Sequence, residues 1–248
     1  MVTAPTQPRS AVSRLPGRRY DHWFFTGMSL VMLATVFAGF APSYFLAGMM
    51  RAHLASPILH VHGAAFSAWV VLLIVQSVLV ASHRIKIHQW LGFGVFALGA
   101  FMVVLGTLAA TDSMVRHLTE DRIGSEEFYI VSLSEMMVFG VLLVLAYRAR
   151  RRPAEHKRLI YIATTTLMGA AIFRLPMHWV HARLHVVCLL MYCFLAILAA
   201  YDYWSTRKVN RATLWASLFL IVVEETRMPL ATTPAWHAFA EWAARLWG

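Results

Sequence analysis

The chain is short of charge. Only 14% of its 248 residues are Asp, Glu, Lys or Arg, while 59% are hydrophobic and the mean hydropathy is +0.60. A soluble domain carries about 25% charged residues. The long uncharged blocks therefore exclude an ordinary soluble fold and predict a multi-pass membrane protein. The net charge is +10, but the positive residues crowd between the blocks, which favours membrane topology over nucleic-acid binding.

Cysteine and lysine are scarce. Cys188 and Cys193 are five residues apart in one apolar block, a spacing that does not align them on a helix face and excludes a CxxC site. The chain's lysines fall between apolar blocks: Lys86, Lys157 and Lys208. No lysine is placed in mid-membrane to form a Schiff base, so the sequence excludes a retinal protein.

The apolar blocks predict an all-α integral membrane protein with a bundle of seven transmembrane helices. They cover residues 23–46, 57–81, 89–111, 128–147, 158–173, 176–204 and 212–223. We expect the sixth helix to begin at Pro176, because proline is tolerated in the first helical turn. Three regions result: a cytoplasmic basic tail at 1–21, the seven-helix domain at 22–225, and a periplasmic, interfacial amphipathic tail at 226–248.

The distribution of Lys and Arg predicts the orientation. Most of the 22 lie in the N-terminal tail and in alternate gaps, with the largest cluster at 148–158. The gap at 112–127, on the other side, is mainly acidic. By the positive-inside rule the N-terminus is cytoplasmic, and seven spans put the C-terminus outside. We expect a protein of the bacterial inner membrane, in contact with the lipid bilayer and without a nucleic-acid partner.

Histidines cluster at the predicted outer ends of the helices. Three of them follow Pro176 at spacings of three and four, which is typical of one helix face and of imidazoles that chelate a metal. A fourth opens the second span, whose same face continues through Trp69 to Gln76. The predicted outer metal ligands are His62, His178, His181 and His185. The alternative is that these histidines are anchors at headgroup level, and the pattern leaves open whether His60 or His62 faces the bundle.

Two charged residues lie deeper. Glu135 is inside the fourth span, and Arg174 is at the outer end of the fifth. A charge within a span is costly and usually faces a partner or a cavity. Two interpretations are open: the residues pair with each other, or they are catalytic, with Glu135 as a metal ligand or proton acceptor beside the outer histidines.

On the inner side, His88 opens the third span and His156 precedes the fifth, each beside basic residues. Two imidazoles on different helices at one depth suit the axial ligation of a haem, whose propionates nearby Lys or Arg could hold. The alternative is that both are helix-end histidines near lipid phosphates.

The stretches HRIKIHQWLG, RRRPAEHKRL and TPAWHAFAEW resemble a family of uncharacterised bacterial multi-pass membrane proteins. The central features of that resemblance are His62, Gln76, His88, Gly92, His156 and Arg174. HQWLG is also similar to the His-x-Trp-Leu-Gly stretch of cytochrome b561-type proteins, which place bis-histidine haems in both leaflets of a helical bundle. This second resemblance implies haem ligation, although the matched ligand positions on four consecutive helices are not reproduced in this chain.

The leading hypothesis is a redox protein that binds haem b or a transition metal (Zn, Cu or Fe). His62 with His185 or His181 would form an outer centre, and His88 with His156 an inner one. The expected partner is a redox protein or a small lipophilic substrate.

Two other hypotheses stay open. In a zinc-dependent membrane hydrolase, His62, His181 and His185 would hold the metal, with Glu135 or Asp112 as general base for a bound water. In a cofactor-free assembly or transport protein, the polar residues would only pack helices or line a path.

Overall fold

Apolar runs of this length form helices in a bilayer because a helix satisfies its own backbone hydrogen bonds. The structure is a computed structural model that describes residues 20–48, 54–119, 125–177 and 183–247. Its elements in chain order are α1 (Asp21–Phe40), a π-helical turn (Ala41–Phe45), α2 (Pro57–Ala81), α3 (Ile85–Thr119), α4 (Ser125–Arg148), α5 (Pro153–Thr166), α6 (Met168–Phe173), α7 (Leu184–Thr206), α8 (Arg211–Ala231) and α9 (Pro234–Trp247).

The described chain is a multi-pass membrane protein. Among its residues, five helices are long and apolar enough to cross a bilayer: α1 with its π-helical turn, α2, α3, α4 and α7. Large apolar side chains along these helices are exposed on the outside of the bundle, where lipid would cover them. The prediction of an all-helical multi-pass protein is confirmed.

The two ends of the bundle differ in charge. The basic end, as we name it, holds the start of α1 and the turns α2–α3, α4–α5 and α7–α8; the opposite end holds the start of α2, α6 and the start of α7. Four tryptophans close to the basic end are more than half exposed: Trp23, Trp90, Trp204 and Trp215. Exposed tryptophans at one level are typical of a membrane interface.

Helix α4 is the centre of the bundle and packs on α3, α5 and α8. Its side chains Phe139 and Leu142 are completely buried. Trp69 of α2 is 1% exposed, and its Nε1 donates to Oγ1 of Thr164 on α5 at 3.2 Å. This bond holds a polar pair in the middle of the bundle, where an unpartnered donor would be costly.

Two ion pairs tie the helices together at the basic end. Arg158 of α5 donates from Nε and Nη2 to Asp202 of α7, and both side chains are buried. Asp202 also accepts from Oγ1 of Thr213 at 2.6 Å. Asp21 at the start of α1 pairs with Lys157 and accepts from the hydroxyl of Tyr201 at 2.8 Å. Helices α1, α5, α7 and α8 are therefore joined by polar contacts as well as by packing.

The helix boundaries agree with the sequence in part. The second predicted span, 57–81, coincides with α2. The third is longer than predicted: α3 continues to Thr119, so Asp112 lies on a helix and accepts from Arg116 at 3.1 Å. The seventh continues through Glu224 to Ala231.

One prediction near the opposite end holds in part, and another is wrong. The fifth span is interrupted at Leu167, where α5 ends and the short α6 begins. Pro176 does not open the sixth helix, because it lies in a bend and α7 begins at Leu184. A proline fits a turn as well as a first helical turn, and the sequence pattern does not separate the two.

Helix α9 is the predicted amphipathic tail, and it packs on the extended end of α3 and on α4. Nε1 of Trp236 donates to the carbonyl of Glu126 at 2.9 Å, and Nδ1 of His237 contacts the carboxylate of the same residue. Ala240 is completely buried in this interface. These contacts explain how α3 extends beyond its predicted end without exposing its apolar face.

Candidate functional site

The predicted inner histidines come together. His88 on the first turn of α3 and His156 on the first turn of α5 place their ring centroids 6.5 Å apart, at an interplanar angle of 81°. Both rings are half-buried at the basic end, and Phe96 lies beside His156 with centroids 6.1 Å apart. The turn α4–α5 positions His156 because Pro153 begins α5 just after the arginine cluster.

The protonation of His156 follows from its hydrogen bond. Its Nδ1 lies 2.9 Å from the carbonyl oxygen of Ala146, which can only accept. Nδ1 therefore carries a proton, and Nε2 of the neutral ring keeps its lone pair. Burial lowers the pKa of His156 below its usual value, although the bond to Ala146 opposes this. The neutral ring with a bare Nε2 is the form that binds a metal.

Gln76 of α2 decides the tautomer of His88. The Gln76 amide has one orientation in which both of its polar atoms are hydrogen-bonded. In that orientation its nitrogen donates to Nδ1 of His88 at 2.5 Å, and its oxygen accepts from the Gly92 amide at 3.1 Å. The neutral His88 ring then carries its proton on Nε2. With the amide reversed, the oxygen accepts from Nδ1–H and Nε2 is bare. The predicted polar face of α2 thus reaches the inner histidines through Gln76.

The predicted outer metal site is not assembled by the described residues. His62 stacks on Phe66 with centroids 4.0 Å apart, and its buried Nδ1 has no hydrogen-bond partner there. His185 is exposed on α7, which packs on α5, α6 and α8, whereas α2 packs on α1 and α3. His178 and His181 lie outside the described residues. Within the described ranges, no three His, Cys, Asp or Glu side chains are arranged to hold a metal.

Glu135 has an ion-pair partner other than the predicted one. Its Oε1 lies 3.7 Å from Nη1 of Arg227 on α8. Arg174 instead donates from Nη1 to the carbonyl of Ala170 at 2.9 Å and lies over the ring of Phe40 at 4.9 Å. The predicted Glu135–Arg174 pair is therefore wrong as a direct contact, although Arg174 is within electrostatic range of Glu135 and of His62. The catalytic roles of Glu135 and Arg174 stay predictions.

Arg227 and Glu224 are buried polar residues that the sequence analysis missed. Nη1 and Nη2 of Arg227 donate to the Glu224 carboxylate at 2.9 and 2.6 Å. A usable signal was present: the two residues are three apart, which on a helix places opposite charges side by side. An apolar segment that continued as a helix past Glu224 could then carry both charges into the bundle.

A pocket of about 390 Å³ lies between α7 and α8 near the opposite end. Its lining includes both apolar and ionisable side chains: Leu184, His185, Cys188, Leu189, Tyr192, Glu224, Glu225, Arg227 and Met228. Oη of Tyr192 donates to Glu225 at 2.6 Å, and Sγ of Cys188 lies 3.8 Å from Glu224. The pocket therefore reaches the charged group around Arg227 from the side of α7.

No family model, curated protein or solved structure matches the chain. The function therefore has to be argued from the two polar centres themselves, the histidine pair at the basic end and the charged group at the opposite end.

Proposed function

We propose that the chain is a seven-span protein of the bacterial inner membrane that binds haem b or one transition-metal ion through His88 and His156 and transfers electrons. The two further spans would be 158–173, within α5 and α6, and helix α8. Helix α8 has 21 residues, or about 31 Å at 1.5 Å per residue, which matches a bilayer core of about 30 Å. The basic end would face the cytoplasm, and the C-terminus would lie outside.

The observation that carries this proposal is the approach of His88 and His156 on separate helices. Metal–nitrogen distances near 2.0 Å place two opposed imidazole nitrogens about 4 Å apart, and the ring radii bring the centroids to roughly 6 Å. The centroid distance of 6.5 Å is close to that value. Two ring nitrogens could therefore reach one ion with small side-chain movements.

The hydrogen bond of His156 fits a bis-imidazole centre. His156 donates from Nδ1 to Ala146, which orients the ring, raises its basicity and leaves Nε2 for the metal. His88 would match it only after the Gln76 amide turns so that its oxygen accepts from Nδ1 of His88, which removes the acceptor of the Gly92 amide. Gln76 is therefore the residue that would switch His88 between a hydrogen-bond acceptor at Nδ1 and a metal ligand at Nε2.

The surroundings suit a one-electron centre. A bound haem or redox metal supplies reversible one-electron transfer, and the protein tunes it by ligand basicity and by burial. Phe96 and Tyr147, whose rings are 5.2 Å apart, provide an apolar wall beside His156. The exposed arginines of the α4–α5 turn, Arg150 to Arg152, offer positive charge for haem propionates or for an acidic redox partner. A small lipophilic carrier in the bilayer is the other electron partner that this location allows.

Absorption spectroscopy of detergent-purified protein tests the proposal. The protein should be expressed with added haem precursor and examined by absorption spectroscopy and metal analysis. We expect about one haem or one metal ion per chain and, for a haem or a redox metal, a spectrum that changes on reduction. His88→Leu and His156→Leu should each remove this signal, whereas His83→Leu, an exposed histidine in the neighbouring turn, should keep it. Colourless, metal-free wild-type protein with intact helical structure would contradict the proposal.

A further inference from the structure

Three charged side chains meet inside the bundle at the opposite end, away from the histidine pair. Glu135 comes from α4, and Glu224 and Arg227 come from α8. Their side chains are 12%, 1% and 3% exposed, respectively. Ionised groups inside a membrane protein are costly unless they are paired, so such a group usually marks a functional site.

The pairing in this group is incomplete. Both terminal nitrogens of Arg227 donate to Glu224, while Glu135 lies 3.7 Å from Arg227, beyond hydrogen-bond distance. Nε of Arg227 is buried and has no partner among the described residues. Two carboxylates therefore face one guanidinium, and one negative charge is left without compensation in a low-dielectric surrounding.

Other charged groups near Glu135 do not remove this imbalance. Its electrostatic partners are Arg227, Glu224 and Arg174. Arg174 donates to its own helix and lies over the ring of Phe40, and it makes no direct contact with Glu135, so its charge acts on Glu135 from a greater distance than that of Arg227. On α7, the nearest ionisable group to Glu224 is the thiol of Cys188, and at the pocket rim the exposed Glu225 adds a further negative charge.

Glu135 has room for a proton and is separated from a pocket by its ion-pair partners. A Cβ atom on Gly169 of α6 would lie 3.0 Å from Oε1 of Glu135 and 3.0 Å from Sδ of Met191, so the glycine leaves space for the carboxyl group. Arg227 and Glu224 form the wall between Glu135 and the pocket of α7 and α8. The pocket thus lies within one ion-pair contact of Glu135.

We propose that Glu135 is a proton-binding site that exchanges its proton with the aqueous phase at the opposite end through the α7–α8 pocket. Binding converts the carboxylate into a carboxylic acid: one O–H bond forms at Glu135, one O–H bond of a hydronium ion in the aqueous phase breaks, and water is left. The group of Glu135, Glu224 and Arg227 then changes from one net negative charge to neutral. Arg227 stays paired with Glu224 in both states, and Glu135 alone gains or loses the charge.

Infrared spectroscopy of the full-length protein in liposomes tests proton binding. Wild-type protein at neutral pH should show the carbonyl band of a buried carboxylic acid, with the shift in deuterated water that such a group undergoes. Glu135→Gln should abolish the band, and Glu225→Gln, at the exposed pocket rim, should leave it. The amide bands of the same spectra report whether each variant is folded.

A second variant covers the case in which Glu135→Gln does not fold. Gly169→Ala keeps the carboxyl group but crowds its oxygen, so the band should shift in frequency without being lost. A wild-type spectrum without the band, or a band that neither substitution changes, would overturn the proposal.

The exchange route has its own test. After a small, membrane-impermeant thiol reagent has modified Cys188, hydrogen–deuterium exchange of the Glu135 band should slow at least tenfold. The control is Cys188→Ala treated with the same reagent, in which exchange should be as fast as in unmodified protein. Equal rates in labelled wild type and control would exclude the pocket as the route.

Discussion

The ion pair between Arg158 and Asp202 should be a main determinant of stability at the basic end. The side chains of Arg158 and Asp202 are 5% and 0% exposed. Asp202 also accepts from the amide of Asn210 and from the hydroxyl of Thr213, while Arg158 donates in addition to the carbonyl of Ala154. Removing either partner leaves a buried charge, which costs about 3–5 kcal/mol.

The two single substitutions should differ in size. Arg158→Met leaves Asp202 with two donors, from Asn210 and Thr213. Asp202→Leu leaves the guanidinium with Ala154 alone and also strands the amide and hydroxyl donors, which adds about 1–3 kcal/mol per buried group. At about 2–4 °C per kcal/mol for a chain of this size, Arg158→Met should lower Tm by roughly 6–20 °C and Asp202→Leu by more.

Thermal unfolding in detergent, followed by tryptophan fluorescence, measures these shifts. The double variant should lose less than the sum of the two single losses, because an apolar pair leaves no buried charge. Arg152→Gln is the matched control, since its ion pair with Glu155 is exposed and should be worth about 0–1 kcal/mol. A Tm loss for Arg158→Met no larger than that of Arg152→Gln would refute the reasoning.

Three further predictions follow from separate parts of the fold. Gly39→Ala should lower Tm strongly, because its Cβ would clash with the carbonyl of Ala171 on α6. Gly27→Ala on the same helix would meet nothing within 4 Å and should be neutral or stabilising. Equal Tm values for the two variants would contradict the close α1–α6 contact. Gln76→Glu should retain metal at His88 better than wild type because its carboxylate only accepts hydrogen bonds, and Gln76→Leu should lose about 10–100-fold in metal affinity. Dialysis against a chelator measures both, and tighter binding by Gln76→Leu than by Gln76→Glu would count against the assigned role of Gln76. A reporter enzyme that is active only outside the cytoplasm should be active when fused to the C-terminus and inactive when fused within the α4–α5 turn, and the opposite result would reject seven spans with a cytoplasmic N-terminus.

The sequence predicted the helices wherever the composition changes sharply. Ser56 and Pro57 mark the start of α2, and the apolar run ends in the polar turn that begins at Ser82, so both boundaries were readable. The same signals gave a wrong helix end where a polar residue has an ion-pair or hydrogen-bond partner within the fold. Asp112 did not end α3, because Arg116 lies one helical turn away and α9 covers the neighbouring apolar face.

The candidate sites, too, could be predicted only in part. His88 and His156 were predicted as a pair from their depth alone, and the chain folds so that they meet. The partner of Glu135 could not be predicted from depth, because Arg174 and Arg227 are both near the opposite end. Arg227 lies on the helix that packs against α4. That helix was predicted to stop at residue 223, so Arg227 was assigned to the tail.

Native mass spectrometry of the wild-type protein, purified from cells supplied with iron and haem precursor, tests the central proposal most directly. We expect the mass of one chain plus one haem or one metal ion, and the mass of the chain alone for a His88→Leu/His156→Leu variant that still unfolds cooperatively. A wild-type protein that carries neither, or a double variant that retains the same bound group, would contradict the assignment of the histidine pair as its ligands.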